Sequence, residues 1–202
     1  MDHADEDNDD DDVFVYMGGD QRVPRDATHI RVHKSVKIII ERAFEDCISL
    51  VSIEMHDGVE IIEEWAFNSN FLKGIKLPGV RAIGNGAFHH CEALENVQFG
   101  DKLETIGNSA FEHTSLRNIK IPRVRVIGYD AFAECEQLTG VELSEDLETV
   151  GHEALAYCPR LRRIAIPLKA NMLGGNVFWK CDDLSRVDLV GGGPQNCLFV
   201  AP

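Results

Sequence analysis

Thiols and imidazoles are the side chains in this chain with the most chemistry open to them. There are 6 Cys and 8 His in 202 residues, and three stand together as His89-His90-Cys91. Such a run invites a zinc reading, since zinc takes imidazole nitrogen and thiolate sulfur in tetrahedral sets. Two observations weigh against it. No pair of cysteines has the Cys-x-x-Cys spacing of a zinc or redox motif. Five of them, Cys47, Cys91, Cys135, Cys158 and Cys181, recur at one position of a repeating pattern, which is how a column of buried thiols is written; Cys197 stands apart. In that register Cys91 points inward while His89 and His90 fall on an outer turn, so the three side chains diverge and no metal is assigned. His29 and His33 flank the inward Ile30 and Val32 and are expected to face solvent. No Ser-His-Asp or Cys-His pair follows from spacing, and the glycine strings at 84–86 and 191–193 lack the strand-to-helix context of a phosphate loop. The sequence therefore assigns no catalytic residue, no cofactor and no enzymatic activity.

Charge narrows the partners. The 20 Lys+Arg stand against 34 Asp+Glu, for a formal net charge of −14. Eight of those acids lie in residues 1–12, which hold no Lys or Arg, so the remaining 190 residues carry only −6. A block of like charges repels itself and buries nothing, so 1–12 is expected to be a disordered acidic tail. It resembles half of a calcium loop in composition but lacks the fixed Gly and closing Glu. Without a basic stripe, nucleic acid is excluded as a partner. No run of 18 apolar residues is present, so no membrane-spanning helix is expected. The start is the opposite of a basic-then-apolar leader, which predicts a cytoplasmic or otherwise intracellular protein.

The elements that would position these residues are announced by a repeat. Ala43-Phe44, Ala66-Phe67, Ala87-Phe88, Ala110-Phe111, Ala131-Phe132, Ala154-Leu155 and Val177-Phe178 recur at spacings of 23, 21, 23, 21, 23 and 23 residues. Four residues after each Ala or Val stand Cys47, Asn70, Cys91, Thr114, Cys135, Cys158 and Cys181. A Leu-x-x-Ile-x-Leu stretch follows, as in Leu116, Ile119 and Ile121, and then a second apolar pair such as Leu103 and Ile106. Each unit is too short to bury its own apolar residues, and stacking solves this by having every copy cover its neighbour. Alternation in the Ile-x-Leu portion predicts a half-buried strand, and stacked copies predict a parallel sheet along one side. The segment through Ala-Phe has room for about one helical turn of 3.6 residues. The glycines at 84, 107, 128 and 151 suggest a turn with relaxed backbone sterics. The units lacking Cys, at Asn70 and Thr114, are also one residue shorter before the next Leu, which ties the lost thiol to a shorter corner. The six Phe of the repeat are expected to form one internal stack, with Trp65 and Trp179 beside it on the outer side.

The stretch LENVQFGDKLETIGNSAFEHTSL, residues 94–116, resembles the BspA-type leucine-rich repeat almost position by position, departing at Thr114 and the shortened spacer. The resemblance runs over roughly residues 27 to 189. It implies a curved solenoid of units of about 23 residues, with a parallel β-sheet along one face and short helical turns or loops opposite. It also implies binding of proteins or surface ligands without catalysis, and it brings no catalytic motif to carry over.

The expected organisation is an acidic tail at 1–12, an N-terminal cap at 13–26, a leucine-rich-repeat solenoid of about seven units at 27–190, and an irregular tail at 191–202. The Gly-rich tail continues no repeat. Either Leu198, Phe199 and Val200 fold back over the last unit, or the polypeptide is shorter than the native product; a frayed, poorly capped C-terminus, a site of self-association or lower local stability, is preferred. On the strand face one residue per unit gives Arg31, Glu54, Lys76, Gln98, Lys120, Glu142, Ala165 and Asp188, with Arg163 and Arg186 in the flanking row. The expected partner-binding face is Arg31, Glu54, Lys76, Gln98, Lys120, Glu142, Arg163 and Arg186. It is polar, of mixed sign and poor in aromatics, which suits a protein partner held weakly. A non-enzymatic protein-interaction module is the reading preferred; the alternative, cell-surface recognition of glycan or matrix, needs an export route.

Overall fold

The computed structural model describes residues 13–167, 169, 172–190 and 197–199. The acidic tail lies outside the described residues, as does most of the C-terminal tail. Strands follow one another as β1 (Val13–Tyr16), β2 (His29–Val32), β3 (Ile38–Ile39), β4 (Ser52–Glu54), β5 (Ile61–Ile62), β6 (Gly74–Leu77), β7 (Ala82–Ile83) and β8 (Asn96–Phe99). The series continues with β9 (Thr105–Ile106), β10 (Asn118–Ile121), β11 (Val126–Ile127), β12 (Gly140–Leu143), β13 (Thr149–Val150), β14 (Arg163–Pro167), β15 (Arg186–Val190) and β16 (Cys197–Phe199). Each coil contributes one longer strand, where Leu-x-x-Ile-x-Leu alternates, and most add a two-residue strand at the second apolar pair. The fold is a parallel β-solenoid of about seven turns.

The short strands form one unbroken six-strand ladder from β3 to β13. The longer strands form three separate ladders, β1-β2-β4, β6-β8 and β10-β12-β14-β15-β16. Both breaks fall immediately before a unit that carries Asn70 or Thr114. Asn70 explains the first of those corners. In the longer units the Leu N–H closes a turn onto the Cys carbonyl, as in Leu94 to Cys91 at 2.9 Å. In the shortened unit the Leu72 N–H goes instead to the Asn70 side-chain oxygen at 2.9 Å.

The side opposite the sheet holds no helix among the described residues, which corrects the expected helical turn. Two residues per coil take left-handed backbone, for example Arg42 (φ 57) and Asp46 (φ 56), or Ser109 (φ 50) and His113 (φ 56). That conformation ends an α-helix after a few residues. Its steric cost is offset by hydrogen bonds between coils: the N–H groups of Ser109, Phe111 and His113 donate to the carbonyls of Tyr129, Ala131 and Ala133 at 2.8, 2.8 and 3.1 Å. The turns are therefore a third ladder.

Inside runs a column of rings. Tyr16, Phe44, Phe67, Phe88, Phe111 and Phe132 are fully buried. Neighbouring centroids are 4.8–5.2 Å apart from Phe67 to Phe132, and the planes are within 5° of parallel. Tyr16 meets Phe44 edge-on at 4.9 Å and closes the N-terminal end. Leu155 interrupts the column, so Phe178 does not join the stack and is only partly buried.

The repeated glycines answer to close approach rather than to unusual backbone angles. A Cβ on Gly128 would lie 2.6 Å from the backbone of Gly107 and Asn108, and one on Gly151 would lie 2.5 Å from Gly128 and Tyr129. Neither has positive φ. The coils touch backbone to backbone there, and only Gly leaves room.

At the far end β16 pairs antiparallel with β15, with Val187 opposite Leu198. The preferred reading of a poorly capped C-terminus is corrected on this side, because the open edge of β15 has a strand on it. No described helix is long and apolar enough to cross a membrane.

Candidate interaction face

Register places the chosen strand-face residues as a pleated sheet requires, one outward residue per strand. Arg31 lies opposite Glu54, Lys76 opposite Gln98, and Lys120 opposite Glu142. Lys76, Gln98, Lys120 and Glu142 are exposed. Arg163 and Arg186 face each other in the flanking row. Ala165 is buried, which interrupts the central row before Asp188.

Much of this face is paired with itself. Arg31 Nε meets Glu54 Oε2 at 2.7 Å and Lys120 Nζ meets Glu142 Oε2 at 3.2 Å. Asp188 takes both Arg163 and Arg186, at 2.6 and 2.7 Å. Like charges in adjacent strands repel, and the shared carboxylate between the two arginines relieves that. The breaks between β4 and β6 and between β8 and β10 divide the face into three patches, with Lys76 and Gln98 on the middle one.

Two further columns escaped the sequence reading. Ahead of the short ladder stand Lys37, Glu60, Arg81, Glu104, Arg125 and Glu148, alternating in sign from coil to coil. Arg81 binds Glu104 at 2.9 Å and Arg125 binds Glu148 at 2.6 Å. A shallow cleft of about 530 Å³ lies along this column, lined also by Asp57, Asp101, Lys102 and Arg123. Stepping one residue per unit at that position exposes the alternation.

The second is on the turn ridge. As the register predicts, Cys91 is buried while His89 is half-buried and His90 exposed on the turn. His89 and His90 nevertheless meet side chains of the next coil. The His90 ring stacks on His113 with centroids 4.4 Å apart and planes 6° from parallel. His89 Nε2 lies 3.6 Å from Glu112 Oε2, and His113 Nδ1 lies 3.4 Å from Glu134 Oε2. Burial, and then the neighbouring His90, hold the His89 pKa below its ordinary 6.5, with Glu112 pulling the other way. Convergence across coils is invisible to a motif search along the chain; it follows only when positions 21 or 23 apart are laid side by side.

The thiols of Cys47, Cys91, Cys135 and Cys158 are buried and that of Cys181 is partly buried. Cys91, Cys135, Cys158 and Cys181 each donate to a backbone carbonyl of the preceding coil, those of Phe67, Phe111, Phe132 and Leu155, at 3.0, 3.3, 3.3 and 3.1 Å. Asn70 Nδ2 replaces a thiol in the same role, reaching the Phe44 carbonyl at 3.4 Å. Burial pushes the Cys91 thiol up to about 12. Hydrogen bonds with Cys135 and Cys181, together with burial, also raise Cys158. Protonated thiols of this kind are poor nucleophiles.

The profile described as BspA type leucine-rich repeat region matches six copies, over residues 25–124 and 118–192. No curated protein matches. Among solved structures, a leucine-rich repeat protein from Bacteroides ovatus is 27% identical with a TM-score of 0.62, over 82% of this chain and 56% of that one. The T. pallidum leucine-rich repeat protein is 31% identical with a TM-score of 0.62, over 69% of this chain and 68% of that one. The chain thus spans little more than half the length of the first of these.

Proposed function

The chain belongs to the BspA-type leucine-rich repeat family, whose members are generally protein-interaction or surface-recognition modules, and on that premise we propose that it is a non-enzymatic interaction module that presents its strand face to a protein partner. One observation carries the reading. The outward positions of the longer strands form an exposed polar surface with its charges matched in place, while the apolar residues of the repeat are spent on the core. Such a face needs no rearrangement to meet a complementary surface. Its mutually paired charges leave little net attraction, so binding is weak for a single contact and strengthened by multiplicity. Lys76, on the middle patch with no ion pair among the described residues, and Lys120 are the contacts assigned to steering.

Affinity capture with the double variant Lys76→Glu and Lys120→Glu tests this against wild type and against Lys180→Glu on the turn ridge. Partners lost by the double variant and kept by Lys180→Glu are the expected outcome. An unchanged partner set removes the strand face from the proposal.

A further inference from the structure

Three side chains on the turn ridge hold donor atoms close enough to share one cation. Atoms of Glu112, His113 and Glu134, one imidazole nitrogen and two carboxylate oxygens, all lie within 4.8 Å of one another, the one such group among the described residues. The residues come from two successive coils, and their backbones are fixed by the inter-coil ladder: His113 N–H donates to the Ala133 carbonyl at 3.1 Å and Glu134 N–H to the Ala156 carbonyl at 3.0 Å. His113 and Glu134 occupy the same left-handed position of their coils, with φ of 56° in both. Their side chains therefore leave the ridge in parallel, one layer apart.

Neighbouring rings pack against two of the three residues. The His90 ring lies flat against His113, fixing the plane of that imidazole. His89 Nε2 stands 3.6 Å from a Glu112 oxygen and itself packs edge-on beneath Trp65, with ring centroids 5.4 Å apart. Groups that orient ligands from behind are a regular feature of metal centres. A cavity of about 310 Å³, lined in part by Glu92, His113, Thr114 and Glu134, opens beside the group. It leaves space for water at a fourth position. Elsewhere on the ridge, His152 Nδ1 pairs with its own neighbour Glu153, at 3.5 Å.

We infer that Glu112, His113 and Glu134 form a binding site for a divalent cation of the zinc class, completed by water and braced by His89 and His90. The donor set of one nitrogen and two oxygens suits zinc, whose bonds to such atoms are about 2.0–2.2 Å. Tetrahedral coordination brings donor atoms to about 3.3 Å from one another, so binding draws the carboxylates inward by rotation at the surface while the backbones stay in place. The ion would then tie one coil to the next, at the level of the Phe111–Phe132 pair. The inference is independent of the strand face and of any partner there.

Zinc titration of the full chain, followed by calorimetry and by the NMR signals of the histidine rings, tests it. The expected result is one saturable equivalent that shifts the His113 ring signals and leaves His29 and His33 unmoved. His113→Ala and Glu134→Gln should each weaken binding at least ten-fold, and His56→Ala should leave it unchanged. Circular dichroism identifies any variant that fails to fold, and Glu134→Gln, at an exposed carboxylate, keeps the test open if His113→Ala does. Absence of a saturable site, or equal uptake by wild type and both ligand variants, overturns the assignment.

Discussion

The middle coils and the last two coils are written in nearly the same repeat, yet they are held differently. From Phe67 to Phe132 every ring has a parallel neighbour within 5.2 Å on at least one side and every coil is covered on both faces. The last coils place Leu155 where the ring should be, leave Phe178 partly exposed and bury Cys181 less than the thiols before it. Their short ladder thins to a single bridge between Val150 and Leu173. The ridge N–H groups of Asn176, Phe178 and Lys180 have no acceptor among the described residues. A solenoid layer is as stable as its two interfaces; the motif alone does not set its stability.

Thiol reactivity should separate these regions most widely. The thiolate is the reactive form, and moving Cys91 from 9.0 to about 12 lowers its thiolate at pH 8 by about a thousand-fold. In a Cys197→Ser background, mass spectrometry of the native protein with a maleimide should find Cys181 labelled before Cys91. Equal rates at the two positions would erase the distinction. The same shift has a stability consequence. The folded thiol keeps its proton above the unfolded value of 9.0, so its contribution is fully present below that pH and is lost as pH rises toward about 12.

Truncation of the ring column should show the difference in stability. Phe111→Ala removes a fully buried ring with neighbours on both sides and is expected to cost about 3–5 kcal/mol. Phe178→Ala should cost less than half as much. Urea unfolding read by circular dichroism measures both; a lower m-value in either variant would report that the coils unfold separately. Similar losses at the two sites would mean that the end coil is as tightly held as the centre.

Close approach and corner chemistry come next. Gly128→Ala forces a Cβ to within 2.6 Å of backbone and should cost about 1–3 kcal/mol. Gly74→Ala, whose Cβ finds its nearest atom at 3.4 Å, should be tolerated within about 0.5 kcal/mol. Asn70→Ala leaves the Leu72 N–H without its side-chain acceptor and is expected to cost about 1–3 kcal/mol. Thermal melts rank all three.

These examples also mark where the sequence stops speaking. Period, inward rows and strand register follow from apolar spacing because burial depends on residue type at fixed intervals, so Ile119 and Val141 land opposite each other as expected. The glycine positions were legible but their cause was not, since a contact between Gly128 and Gly107 belongs to two coils and neither coil shows it alone. The helical turn failed for a related reason: the N–H of Phe111 bonds to the next coil rather than to its own chain four residues back. The ridge cluster was missed because His90, His113 and Glu134 share a place in three coils and no motif along one. Strand-face pairing between Arg31 and Glu54 needed only the register, and that was available.

The smallest effect should come from the alternating column beside the short ladder. Arg125 donates to Glu148 Oε1 through Nε at 3.0 Å and Nη2 at 2.6 Å, yet both side chains are about half exposed. Water screens such a pair, and ordering two long side chains offsets much of the attraction, so Arg125→Ala is expected to leave the melting temperature almost unchanged. Screening also predicts that 1 M salt narrows the gap between variant and wild type, because the Debye length there falls to about 3 Å. The column continues at Arg81 and Glu104, 2.9 Å apart, so a double-mutant cycle on Arg125 and Glu148, run with and without Arg81→Ala, measures whether neighbouring pairs reinforce each other. A coupling energy that changes when Arg81 is removed would show that the alternation acts as one network across coils; an unchanged one would reduce it to separate contacts on a solvated flank.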